Sequence, residues 1–191
     1  MDKRVGAFLG VIALVAVIIV VLVTGGSGTS SGDDAGGDVA VEGEGGAPTN
    51  ADLADVAKAD VRREGDEILF VAEMAMEIPE QIEGGSLEFR WDLSIGGRDA
   101  WIISALVATD TTAAVTAQQT NYGSSTIDDT MPGSVEADGT TLTIALRPGN
   151  IDAFPDAFSW RLRTTLDGDR ADPKSPVAYD EAPDGGPGQF R

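Results

Sequence analysis

From Leu53 onward apolar and polar residues alternate in short bursts separated by Gly, Pro, Asp and Asn. That period-2 texture belongs to half-buried strands, not to helices. Ala57, Ala59 and Val61 alternate with Lys58, Asp60 and Arg62, predicting a first strand over about 55–63, and Gly65-Asp66 supplies a turn. Ile68, Phe70, Ala72, Met74, Met76 and Ile78 share one phase of Glu67–Ile78. The Ala, Glu and Met of that segment also favour helix, but its alternation and Pro79 at its end read as a strand. Leu87, Phe89, Trp91, Leu93 and Ile95 face one way and Glu88, Arg90, Asp92 and Ser94 the other. Gly96-Gly97 follows, a dipeptide suited to the positive φ of a tight hairpin. Trp101–Ala108 is apolar in both phases, which predicts a strand covered on both faces. A more polar strand is expected over Ala113–Thr120, and Ser134–Ala137 and Thr141–Leu146 flank the hairpin signal Asp138-Gly139. The last clear strand is Ala157–Leu166, with Phe158, Trp160 and Leu162 opposite Ser159, Arg161 and Arg163. Pro148–Pro155 reads as a turn or a single helical turn.

The region before this body has a different pattern. Val5–Val23 is uncharged, and a helix of that length spans about 28 Å, close to the hydrocarbon core of a bilayer. Lys3 and Arg4 precede it, and no Lys or Arg follows before Lys58. The positive-inside bias then puts residues 1–4 in the cytoplasm and the rest outside. The run is longer than the apolar region of a cleaved signal peptide and Val23-Thr24-Gly25 is a poor cleavage site, so an uncleaved signal anchor is expected. Residues 24–50 carry nine Gly, five acidic residues and no aromatic. Such a segment buries too little apolar surface to offset its ordering entropy, which predicts a disordered acidic linker. Its one apolar island, Val39-Ala40-Val41, is a candidate extra edge strand.

Composition narrows the chemistry. Thirteen basic against 32 acidic residues give a formal charge of −19, which argues against a nucleic-acid partner. No Cys is present, which removes disulfides and thiolate chemistry, and no His, which removes the commonest general base and zinc ligand. The only lysines beyond the apolar run, Lys58 and Lys174, lie in no S-x-x-K context, and no pair of carboxylates stands out as catalytic. The chain is expected not to be an enzyme.

Seven or eight short strands without a long helix outside the apolar run predict an all-β, antiparallel β-sandwich over 51–167, preceded by one N-terminal transmembrane helix; a closed barrel is the alternative. Residues 168–191 read as an irregular Pro/Gly-rich strap and tail. The order GDEILF (65–70), FRWDL (89–93), DGTTLTIALRPGNI (138–151) and PDAFSWRLRTT (155–165), closed by the Asp-rich stretch beyond 167, resembles the immunoglobulin-like β-sandwiches of secreted bacterial modules. Among these are DOMON-like domains and family-nine carbohydrate-binding modules. The resemblance covers about residues 52–184 and implies sugar, haem or calcium binding. The His of DOMON haem sites is absent, and the aromatic clamp of the sugar-binding relatives has no residue-by-residue match.

Candidate site residues are few. Trp91, Trp101 and Trp160 fall in the apolar phases of their strands and are expected in the core. Tyr122, in the polar stretch Thr120–Thr126, is the one aromatic expected at a loop tip and a candidate ligand contact. Asp167, Asp169 and Asp172 place carboxylates at near-alternate positions around Gly168, a spacing suited to calcium, although the EF-hand pattern is not met. Arg90, Arg161 and Arg163 are expected to form ion pairs with Glu88 and Asp92 on a solvated face. No cofactor other than calcium is suggested. The expected role is a membrane-anchored, extracytoplasmic, structural or protein-interaction module, with a cell-surface protein or polysaccharide as partner. A carbohydrate- or calcium-binding module, or an accessory domain of a surface enzyme system, are the alternatives.

Overall fold

The computed structural model describes residues 30–34, 36–43, 46–83, 85–108, 114–121, 124–128, 133–150, 154–168 and 175–191. The apolar run 5–23 lies outside them. Among the described residues no helix is long and apolar enough to cross a membrane.

Among the described residues thirteen strands form two antiparallel sheets. In chain order they are β1 (Ser30–Asp33), β2 (Ala40–Glu42), β3 (Val56–Glu64), β4 (Glu67–Met74), β5 (Ser86–Ile95), β6 (Arg98–Ala108) and β7 (Ala114–Asn121). After them come β8 (Ser124–Asp128), β9 (Gly133–Asp138), β10 (Thr141–Leu146), β11 (Phe158–Asp167), β12 (Val177–Ala182) and β13 (Gly188–Phe190). The first sheet has the order β1-β3-β4-β10-β9; the second runs β2-β12-β11-β5-β6-β7-β8, with β13 also paired to β11. The tightest turns fall where glycine takes positive φ, as at Gly96 and Gly97 (59° and 77°) and at Gly139 (60°). Short 3₁₀ turns cover Ala51–Ala54 and Pro148–Asn150.

The alternation in sequence becomes the core. Val61, Ile68, Phe70, Leu87, Phe89, Trp91, Leu93, Leu142, Ile144 and Leu162 are fully buried between the sheets. Phe70 of β4 meets Trp91 of β5 edge-on with centroids 5.8 Å apart, so the two sheets lock through an aromatic pair. Phe158 stacks on Phe70 at 6.3 Å and on Phe190 at 4.7 Å, and Phe154 bridges Phe158 and Trp101. All three tryptophans are in the core, as their phase predicts.

The structure corrects the strand count and three boundaries. The second predicted strand stops at Met74, although Ile78 beyond it is still buried. Part of the expected linker is paired: β1 adds to β3 in register Ser30↔Val61 to Asp33↔Lys58, and β2 adds to β12 through Ala40↔Tyr179. The tail beyond 168 supplies β12 and β13 and buries Ala178, Ala182 and Phe190. The outer additions β1 and β2 share one cause. Edge strands are held largely by backbone hydrogen bonds, which a polar or small-residue sequence makes as well as an apolar one, so their sequences carry little hydrophobic signal.

Residues 30–34 and 36–42 form a clasp. They leave the edge of one sheet after β1, turn at Gly36-Gly37 and join the edge of the other as β2. Gly32 of the clasp lies so close to Pro183, in the turn between β12 and β13, that a Cβ at this position would sit 2.2 Å from the Pro183 Cβ.

Candidate functional site

Two places concentrate chemistry. The first is a groove of about 510 Å³ at one end of the sandwich, between the segment 47–53, the β4–β5 connection and the β11–β12 connection. Pro48, Leu53 and Ile82 give it apolar walls; Asn50, Glu83 and Asp167 give it polar ones. Gly85 is required beside two of its lining residues, because a Cβ there would lie 2.3 Å from the Asp167 carbonyl oxygen and 3.2 Å from Ile82 Cγ2. Asn50 holds a left-handed conformation at φ 64° on the rim, one that Asn tolerates better than most residues.

Asp167, one of the sequence-predicted calcium ligands, ends β11 opposite Ser86 and Val177 and lines this groove, half-buried. Asp169 and Asp172 lie outside the described residues, as does Tyr122, which falls between β7 and β8.

The second place is a set of aspartates where the clasp meets the body. Oxygens of Asp34, Asp38 and Asp184 lie within 4.8 Å of one another, and so do those of Asp38, Asp55 and Asp180. Asp167 belongs to neither group. Asp55 and Asp180 are buried, and each is held by backbone donors. Gly37 N–H lies 2.9 and 3.1 Å from the two Asp55 oxygens; Val56 and Glu181 N–H each donate to one oxygen of Asp180, both at 2.8 Å. Thr164, also buried, donates its hydroxyl to the Ala54 carbonyl beside them.

Burial and the neighbouring negative charges shift two of these acids, Asp34 and Asp180. Asp34 is raised to about 7, first by desolvation, then by the charge of Asp180 and by its hydrogen bond with Asp184. Asp180 is raised chiefly by burial, against the lowering effect of its two backbone donors. A hydrogen bond between two carboxyl groups needs a proton, which sets a condition on the contact of Asp34 with Asp184. An all-oxygen donor set suits a hard cation by donor type alone, and no metal ligand is assigned.

Sequence reasoning missed these five aspartates as a group. The one local signal is Asp180 itself, a carboxylate in the buried phase of Ala178-Tyr179-Asp180-Glu181-Ala182.

The outer face of the second sheet resolves the arginine expectation. Arg90 pairs with Asp92 on its own strand at 2.7 Å, while Arg161 and Arg163 share Glu181 across strands at 3.5 and 3.9 Å. The Arg163 guanidinium also lies 4.1 Å from the Tyr179 ring centroid. This is a solvated ladder, with Glu181 in the place expected for Glu88. Beside it, β6 departs from the expected cover on both faces: Ile102 and Leu106 point outward and are half-exposed.

Comparison with known proteins finds no match among family models, curated proteins or solved structures.

Proposed function

We propose that this chain is a membrane-anchored, extracytoplasmic, non-catalytic β-sandwich that acts as a structural or protein-interaction module at the cell surface. The anchoring half draws on the uncharged run Val5–Val23 behind Lys3 and Arg4. The observation that carries the interaction half is the outward phase of β6. Ile102 and Leu106 form an apolar ridge with the Ser104–Thr116 hydroxyl pair (2.7 Å) between them. Arg90, Asp92 and Glu88 of β5 stand alongside in register. An apolar centre with a polar rim is the usual anatomy of a protein contact.

We read the sandwich as immunoglobulin-like, of the variable type. Strand order supports this: β3-β4-β10-β9 follow the pattern A-B-E-D, and β12-β11-β5-β6-β7 follow G-F-C-C′-C″. Trp91 then occupies the place of the buried strand-C tryptophan, and Phe70 packs against it in a chain that has no cysteine for the usual inter-sheet disulfide.

Two experiments test the reading. Protease added to intact cells should digest residues beyond 24; digestion only after lysis reverses the topology. A photo-crosslinker at Ile102 should capture a discrete partner that one at Thr143, on the outer face of the other sheet, does not. Equal labelling from both positions removes the β6 face from consideration. A carbohydrate- or calcium-binding role is the second reading, favoured by the groove beside Asp167, whose volume suits a small polar ligand. The buried tryptophans offer a sugar no stacking surface.

A further inference from the structure

The clasp is attached in an unusual way. Its backbone is well paired, through β1 to β3, through Asp34 N–H to the Ala57 carbonyl at 3.2 Å, and through β2 to β12. Its apolar burial is modest: β1 reads Ser-Ser-Gly-Asp, Val41 of β2 is 42% exposed, and Val39 packs against the core while only partly buried. Docking also sets like charges against one another. The clasp brings Asp34 and Asp38; the body presents Asp55 ahead of β3, Asp180 on β12 and Asp184 in the turn after it.

The other charged or titratable groups along this interface are few. Asp33 faces Lys58 and Ser31 faces Asp60 in register with β3, and Glu42 accepts the Tyr179 hydroxyl on β12. Arg63 of β3 lies over the Phe190 ring of β13, 5.5 Å from its centroid. The charges that raise Asp34 and Asp180 are all carboxylates.

We propose that residues 30–42 are a proton-operated clasp: uptake of one proton between Asp34 and Asp184 seats the segment across both sheet edges, and loss of that proton to solvent releases it and uncovers the edges of β3 and β12. Asp55 and Asp180 each accept backbone N–H groups. Asp34 and Asp184 meet each other, and with both ionised their contact changes from a hydrogen bond to a repulsion. In the released segment Asp34 returns to the ordinary carboxylate range near 4. The seated form therefore binds the proton more tightly, and the ratio of released to seated clasp rises about tenfold per pH unit between about 4 and 7, then levels off. The device stands apart from the membrane reading, since it needs only the contacts between the clasp and the body.

Hydrogen–deuterium exchange on the full-length protein at pH 5, 6, 7 and 8, with chelator present and intrinsic rates corrected, reads the clasp directly. Protection at 31–34 and 40–42, and at their partners in β3 and β12, should fall by up to about a hundredfold between pH 5 and 7. Amides of β5 and β11 should not change. In Asp184→Asn an amide donates to the Asp34 carboxylate without a bound proton, so clasp protection should persist to pH 8. Asp34→Asn should behave likewise from the other side. Protection independent of pH in the parent protein overturns the proposal. So does an equal fall in Asp184→Asn, or a clasp already open at pH 5 in both variants.

Discussion

The last strand offers the sharpest test of how the core is closed. Gly188 of β13 lies directly against the indole of Trp160, its register partner on β11. A Cβ at position 188 would come within 2.3 Å of Trp160 Cε2 and 2.4 Å of Cζ2. Trp160 is 1% exposed, so the rigid ring has nowhere to retreat. In Gly188→Ala the cheaper response is for β13 to lift from β11, and that withdraws Phe190. This side chain is 1% exposed, stacked on Phe158 at 4.7 Å and covered by the Arg63 guanidinium. Removing a buried Phe typically costs about 3–5 kcal/mol, so Gly188→Ala should approach the cost of Phe190→Ala. The two changes should also fail to add, because each abolishes the same docking. Urea unfolding of the purified protein, followed by tryptophan emission, measures all three variants and the parent. Within the linear-extrapolation error, the double variant should match Phe190→Ala alone. A Gly188→Ala protein within about 0.5 kcal/mol of the parent, or two costs that simply sum, would show that the Trp160 pocket yields and that the argument from close approach is wrong.

Other outcomes follow from single contacts. Thr164→Val leaves the Ala54 carbonyl without its buried donor and should cost about 1–3 kcal/mol; an unchanged urea midpoint would refute this. Gly32→Val drives a side chain into Pro183 and should strip protection from β1 at pH 5 while leaving β5 and β11 protected; protected β1 amides would count against the contact. Asp34 is raised in the folded protein, so its contribution to stability is complete below about pH 4 and is lost as pH climbs through about 7. The melting temperature of the parent relative to Asp184→Asn should therefore fall over that window, and a constant difference would refute the assignment. Ile102→Asp, on the half-exposed face of β6, should change stability by about 0.5 kcal/mol or less yet abolish any crosslink formed from that face. Loss of folding would mean that the ridge is core.

How much of this was legible in the chain depends on what held each element. β3 to β6, β10 and β11 were readable because their inner positions carry large apolar residues, and the burial of Trp91 and Trp160 follows from phase alone. β12 was obscured because its inward residues are Ala178, Asp180 and Ala182, too small or too polar to register as a hydrophobic stripe. β1 and β2 were obscured for the related reason that backbone pairing attaches them. The aspartate cluster could not be read as a pattern at all. Asp34 and Asp184 are 150 positions apart, and only the meeting of the first strand with the turn after the twelfth brings them together. The groove beside Asp167 is likewise assembled from three separated connections.

One feature of the second sheet bears on how the chain reaches this state. Its middle pairing joins β5 to β11 from Ser94↔Ser159 to Ser86↔Asp167, ladders that close loops of 65 to 81 residues. Such distant partners make folding slow relative to helical proteins of similar size. Until residues 158–167 have emerged, Leu87, Phe89, Trp91 and Leu93 have no strand neighbour on that side. A nascent chain of this kind remains open for longer, with a period in which those side chains are vulnerable to aggregation.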